Sequence, residues 1–236
     1  ARPSVSGVWS GTVTDIALRN AAFSIEPPGQ TMPRRYFALW FPYLATDRLR
    51  RTGVIPASGA SAEKPHVLTE VLGNALRLVD CDSRAVELGL TRDMTLADAR
   101  ARIPDLVALE TQAQADHEFL EALAGFCDRF TPLVALDERH GLMLDITGCA
   151  HLFGGEAGLG NLAARAMQRG GLQLKAAIAG TPDAARACAR HGRGGIVPVG
   201  QEEAWLRPLP TAALDTDAET VIALSRAGLK TLDHLA

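Results

Sequence analysis

An α/β (α+β) fold built on a ferredoxin-like βαββαβ unit is what this sequence predicts, and three observations carry the prediction. Short apolar strand patterns and helical patterns follow one another in that order between residues 36 and 179. A hairpin signal sits at the centre of the order, where two apolar runs flank a turn through Arg139-His140-Gly141. The stretch separating the first strand from the first long helix has elements of its own, so it reads as an inserted subdomain.

The elements follow from local pattern. Residues 36–41 (YFALWF) read as the first strand. A helix is expected over 116–130, where Phe119, Leu120, Leu123, Phe126 and Phe130 fall on one face as core rather than as a cofactor box. Strands at 133–137 (LVALD) and 142–147 (LMLDIT) form the hairpin. Gly154-Gly155 leads into a helix near 157–169 and reads as a turn, because no G-x-x-x-x-G-K-[ST] phosphate loop follows. A strand at 173–179 closes the unit, and Thr181-Pro182 opens the next helix as N-cap and first helical residue. Inside the insertion a strand is expected near 76–80, a helix from Asp82 or Ser83, and a further helix opened by Thr95-Leu-Ala-Asp98. Beyond residue 195 the chain becomes Pro-rich, then gives a helix near 217–226 and half of a helix-hairpin-helix pattern.

Composition sets the class. With 47% hydrophobic and 22% charged residues over 236 positions, the chain can bury a core without disulfides or metal. Cys81, Cys127, Cys149 and Cys188 stand far apart with no CxxC, and are expected to be reduced core thiols. The apolar run from Tyr36 to Ala45 is broken by Pro42 and falls short of the ~20 residues of a membrane span, so a cytoplasmic location is the default expectation. A formal net charge of −3 argues against nucleic-acid binding by bulk electrostatics and leaves room for local, weak contact. Arg48-Arg50-Arg51 and Arg186-Arg190-Arg193, the latter with His191, are the basic clusters open to DNA or a protein partner. Residues 1–33 read as an irregular extension, with Met32 expected as the natural start.

Four ordered stretches resemble the Y-family DNA polymerases (UmuC/DinB-like): RRYFALWFPYLATDRL at 34–49, SRAVELGLTRDMTLADARARIPDLVALE at 83–110, LDERHGLMLDITGCAHLFGG at 136–155 and AAIAGTPDAARACAR at 176–190. The second is similar to the family's A-x-x-x-G-[LV]-x-x-G-M pattern, with Asp93 in place of the last glycine. The wording FALWFPYLATDRL, LDITGCAHLFGG and AIAGTP resembles most closely the non-catalytic ImuB branch. The resemblance implies a palm at 34–45 and 111–181, a fingers-like insertion at 46–110 and a helical thumb at 182–236 with a partial helix-hairpin-helix, without the little finger and C-terminal tail.

It also implies where polymerase chemistry would sit. The two first-strand aspartates of active relatives correspond to Trp40 and Pro42, the bulky ribose gate to Ala45, the fingers tyrosine and arginine to Ser83 and Val86 with Arg84 nearby, and the post-palm lysine to Asp183. Asp137, Glu138 and Asp145 are left as remnant acids; Asp137 stays near the site if the extra residues lie in the turn, whereas Asp145 or His140 takes its place if the pairing shifts. Asp215 and Asp217 stand where the thumb's phosphate-binding glycines are expected. These departures predict no cofactor, with Mg²⁺ only if polymerase activity remains. The expected function is that of an inactive accessory or scaffold factor in DNA repair and error-prone translesion synthesis. The alternatives are an active translesion polymerase with a modified metal site and an unrelated ferredoxin-like binding module. The partners implied are damaged or primer-template DNA, held weakly, an ImuA-like protein, an error-prone replicative-type polymerase and a sliding clamp. No membrane is implied, and the location implied is the bacterial cytoplasm, with nucleoid association on damage.

Overall fold

The computed structural model describes residues 32–137 and 140–235, so the expectations for residues 1–31, Glu138 and Arg139 fall outside it. The chain runs β1 (Tyr36–Trp40), α1 (Leu44–Arg51), β2 (His66–Leu72), β3 (Ala75–Cys81), α2 (Ser83–Glu87), α3 (Leu96–Arg102), β4 (Val107–Glu110), α4 (Ala113–Cys127), β5 (Val134–Asp137), β6 (Gly141–Asp145), α5 (Gly155–Arg169), β7 (Lys175–Ala179), α6 (Pro182–His191), β8 (Gly195–Ile196), α7 (Glu202–Leu206) and α8 (Ala218–Arg226).

Two sheets result. The larger has the order β5-β6-β1-β7-β8. Its first four strands are antiparallel throughout and give the ferredoxin-like order expected from βαββαβ. β8, within the stretch assigned to the thumb, adds a short parallel edge to β7. The smaller sheet, β3-β2-β4, belongs to the insertion. Sequence reading had found β3 there but neither β2 nor β4.

β1 is the two-sided centre of the larger sheet. Phe37, Leu39 and, just beyond the strand, Phe41 join Leu120, Leu123 and Cys127 of α4 and Leu159, Ala163 and Met167 of α5 in one core. Each such buried side chain contributes about 1.5–3 kcal/mol. Ala38 faces the other way, with Ala177 and Ala179, against Ala184, Ala185 and Cys188 of α6. The run of alanines lets α6 lie close on the sheet. The Thr181 hydroxyl accepts from Ala184 N at 3.2 Å, as its capping position predicts. In the insertion Asp82 caps α2 by accepting from Ala85 N at 2.8 Å, and Thr95 caps α3. Asp93, in the place of the family's last glycine, adopts φ +67°, the left-handed conformation glycine would take there.

α1 is the polar hub between the two sheets, and the sequence reading had no helix there. Arg48 Nε donates to Asp116 of α4 at 2.6 Å and Nη2 to Gln112 at 3.1 Å. Arg50 Nη2 donates to Asp82 at 2.6 Å. Arg51 donates to the Gly170 carbonyl and lies 5.6 Å from the Phe119 ring centre. Asp47 accepts from Gln173 N at 2.8 Å. Among the described residues no helix is long and apolar enough to cross a membrane. All four cysteines are free thiols, and burial pushes Cys81 up to about 11 and Cys127 up to about 12.

Burial raises Asp47 from its ordinary value to about 6, against the pull of the Gln173 N–H and of Arg50. Its carboxylate therefore binds a proton more readily folded than unfolded, so the stability it allows is complete below about pH 4 and is lost as pH rises through about 6. Asp47→Asn keeps an acceptor for Gln173 and removes that penalty. Urea denaturation should show the variant more stable than wild type by about 1–3 kcal/mol near pH 7.5, with the gain vanishing near pH 4.

Candidate functional site

The candidate site lies where β1 ends. Strand register sets Asp137 of β5 opposite Gly141 of β6, Gly141 opposite Trp40, and Trp40 opposite Lys175 of β7. Residues paired across strands share a face, so Asp137, Trp40 and Lys175 project to the side covered by α6. Phe41 is fully buried in the opposite core, and its N–H donates to the His140 carbonyl at 2.9 Å.

Asp145 is paired with Tyr36 at the other end of the sheet, about 13 Å along the strand from Gly141. It accepts from Thr147 N at 2.9 Å, so it is a turn residue. Register therefore places Asp137, rather than Asp145, at the end of β1. His140 occupies the β5–β6 turn at φ +58°.

Asp137 is held by α6. Arg186 Nε donates to one of its oxygens at 3.0 Å and Arg190 Nη2 to the other at 2.7 Å. Arg190 also donates to Asp215 at 3.2 Å, and Arg186 to Asp183 at 2.7 Å. Only 5% of the Arg190 side chain and 12% of the Asp137 side chain are exposed, which places the pair in the low-dielectric interior where charge pairing is strongest. Gly141 makes room for it: a Cβ there would stand 3.1 Å from the Leu39 carbonyl and 3.2 Å from the Asp137 carboxylate.

A cleft of about 390 Å³ opens between the two sheets. Glu70, Asp80, Asp116 and Asp137 bring four carboxylates to it, against Arg92 and the imidazoles of His117 and His140. Asp80 is 3.6 Å from Arg92 and 3.9 Å from His140. Burial pushes the Asp80 carboxyl up, against the opposing pull of Arg92 and His140. Burial likewise pushes the His140 imidazole down, against the pull of Asp80.

The other sequence-derived positions are dispersed. Ser83, Arg84 and Val86 stand on α2, and none lines the cleft. Ala45 is buried with Leu49, Ile55 and Leu68 at the α1 joint and does not line the cleft. Asp183 is exposed on the first turn of α6. Asp217 caps α8 through Thr220 N at 2.8 Å, and Asp215 takes φ +55°. Arg48, Arg50 and Arg51 are spent on internal partners, as are Arg186 and Arg190, while Arg193 lies 4.4 Å over the Trp205 ring. These guanidiniums join elements of the fold rather than forming open basic clusters. Asp80, Arg92 and Asp116 escaped the sequence reading because the β2–β3 hairpin brings Asp80 and Arg92 to Asp116 of α4, a pairing no local period reveals.

The donor set does not fit the paired divalent ions of a polymerase. Trp40 and Pro42 offer no side-chain oxygen, both Asp137 oxygens are taken by guanidiniums, and Asp145 is at the far end. Among the described residues no three His, Cys, Asp or Glu side chains converge as a metal site.

A sequence model of the impB/mucB/samB family matches residues 57–190. Protein ImuB from Caulobacter vibrioides is 45% identical over 144 residues, covering 60% of this chain. The chain spans 31% of that relative's length. Among solved structures, an insertion ternary complex of Dbh DNA polymerase aligns with a TM-score of 0.69 at 13% identity, covering 84% of this chain and 59% of that one. DinB from Sulfolobus solfataricus aligns with a TM-score of 0.65 at 15% identity, covering 84% and 58%.

Removing Asp137 leaves the buried Arg190 guanidinium with half its pairing. Asp137→Ala should destabilise the chain by about 2–4 kcal/mol in chemical denaturation. Asp137→Asn, which keeps an acceptor, should lose less, and a double-mutant cycle with Arg190→Met should give a coupling above ~1 kcal/mol.

Proposed function

The chain belongs to the impB/mucB/samB family, and on that premise we propose that it is a polymerase-shaped, catalytically inactive accessory factor in DNA repair and error-prone translesion synthesis. The observation that carries this reading is the condition of Asp137: both carboxylate oxygens are committed to Arg186 and Arg190, while Trp40, in its cross-strand row, and Pro42, just beyond β1, bring no carboxylate. Nucleotidyl transfer on two metals needs carboxylates free to bridge the ions to the primer oxygen and the triphosphate. Here Asp137, the described acid at the sheet end, is neutralised by side-chain cations, and Asp116 in the adjoining cleft is likewise held by Arg48.

A fold kept without those ligands suits assembly. In this reading the palm and fingers serve as a platform that contacts primer-template DNA weakly and helps bring an error-prone polymerase to a damaged site. An ImuA-like protein and a sliding clamp are the other proposed partners, by likeness to ImuB. The setting proposed is the bacterial cytoplasm, at the nucleoid after damage.

Primer extension on undamaged and damaged templates tests it, with Mg²⁺ and then Mn²⁺. Wild type and Asp137→Asn should both add no nucleotide. Extension by wild type that disappears in Asp137→Asn would sink the inactive reading and assign Asp137 to a metal.

A further inference from the structure

The end of the larger sheet that lacks metal donors carries cations and indoles instead. Beyond Asp137 and its two arginines, the row continues through Trp40 to Lys175, whose ammonium lies 5.7 Å from the Trp40 ring centre. Ala177 pairs in parallel with Gly195, so Arg193 precedes its strand by the same two residues as Lys175 precedes Ala177. The close approach extends to Gly194, at φ +69°, where a Cβ would fall 2.6 Å from the Ala176 carbonyl. The backbone just before β8, which carries Arg193, therefore runs close to the start of β7, which carries Lys175. Its guanidinium lies 4.4 Å over the ring of Trp205, and that ring also approaches the Gly195 backbone. Lys175 and Arg193 are both exposed, and both indoles are half-buried against the α6 core.

This arrangement has a definite chemistry. A guanidinium resting on an indole presents a flat, cationic outer face on which a nucleobase can stack. The neighbouring ammonium on a short strand suits the phosphate of the same nucleotide. Arg186 and Arg190 cancel the charge of Asp137, which removes the nearest acid of the row as a source of repulsion. Arg193, Trp205 and Lys175 lie outside the cleft between the sheets.

We infer that Trp40, Lys175, Arg193 and Trp205 form a metal-independent binding site for single-stranded nucleic acid, with a base stacked on the Arg193–Trp205 pair and a phosphate on Lys175. The inference rests on reading the sheet end as a site without metal ligands. It deepens the proposed function by naming the surface that touches nucleic acid and the form it accepts.

Fluorescence anisotropy of a labelled oligo(dT) of about 15 nucleotides, with the full chain at low salt in EDTA, tests it. Wild type should bind in EDTA, with an affinity that falls as salt rises. Lys175→Glu/Arg193→Glu should bind at least about tenfold more weakly with a shallower salt slope, and Trp205→Leu about tenfold more weakly with the slope unchanged. Arg100→Glu/Arg102→Glu, on exposed α3 of the other sheet, should bind within about twofold of wild type. Circular dichroism and thermal melting establish that each variant is folded, and the single changes Lys175→Gln and Arg193→Gln replace any that is not. Equal affinity in wild type and the Lys175/Arg193 variants, loss confined to the α3 variant, or no binding by folded wild type would each overturn the proposal. The last result would leave the patch to a protein partner. None of these outcomes bears on nucleotide addition, so failure here is separable from failure of the inactive reading.

Discussion

The structure depends on β1 being buried on both faces. A strand hydrogen-bonded on each side by antiparallel neighbours has no edge, so its alternation must satisfy two cores at once. Large residues go to one side, where α4 and α5 leave depth for Phe37 and Leu39, and Ala38 goes to the other, where α6 lies close. That division fixes the faces of every neighbouring strand through register. It is also what brings Asp137, Trp40 and Lys175 onto the α6 side, because a slip of one residue would turn all three away. The candidate site is a consequence of how the core is packed.

Arginine carries the second level of organisation. Arg48, Arg50 and Arg51 leave one short helix in three directions, to α4, to the α2 cap and to the turn before β7. Arg186 and Arg190 tie α6 to the β5–β6 hairpin, and Arg35 joins the start of β1 to Glu156 of α5 and to the Val197 carbonyl. The planar guanidinium makes two directed bonds at once, which suits joints between elements that share little apolar surface. The modest net charge therefore conceals a heavily paired interior, and cations counted from sequence overstate what the surface offers to phosphate.

Much of the palm could be read from sequence because its signals are local. The alternation of YFALW, the helical spacing of Leu120 and Leu123, the hairpin about Gly141 and the Thr181 cap each need only a few neighbouring residues. The failures share a different cause. β2 and β4 pair in parallel across an intervening hairpin and helices, so their partners lie far away in sequence. α1 begins directly after Pro42 with Thr46, Asp47 and Arg48 buried, an inward face that looks polar until its partners are known. Asp137 was found as an acid, but its meaning was not, because the arginines that define it come from a helix some fifty residues on.

The paired state of Asp137 also bears on how a polymerase shape can persist without its ligands. Acids gathered to hold two metal ions repel one another when the ions are absent, so an active site of that kind is a local cost to the fold. Trp40 and Pro42 bring no side-chain charge to the end of β1, and Arg186 and Arg190 make the Asp137 carboxylate a joint between the hairpin and α6. The core on the α4–α5 side takes no part in this joint, since Phe37, Leu39 and Phe41 point away from it. On the proposed reading, the fold loses metal-binding chemistry and gains stability at the same place, and function at that end of the sheet falls to its cations and its aromatic rings.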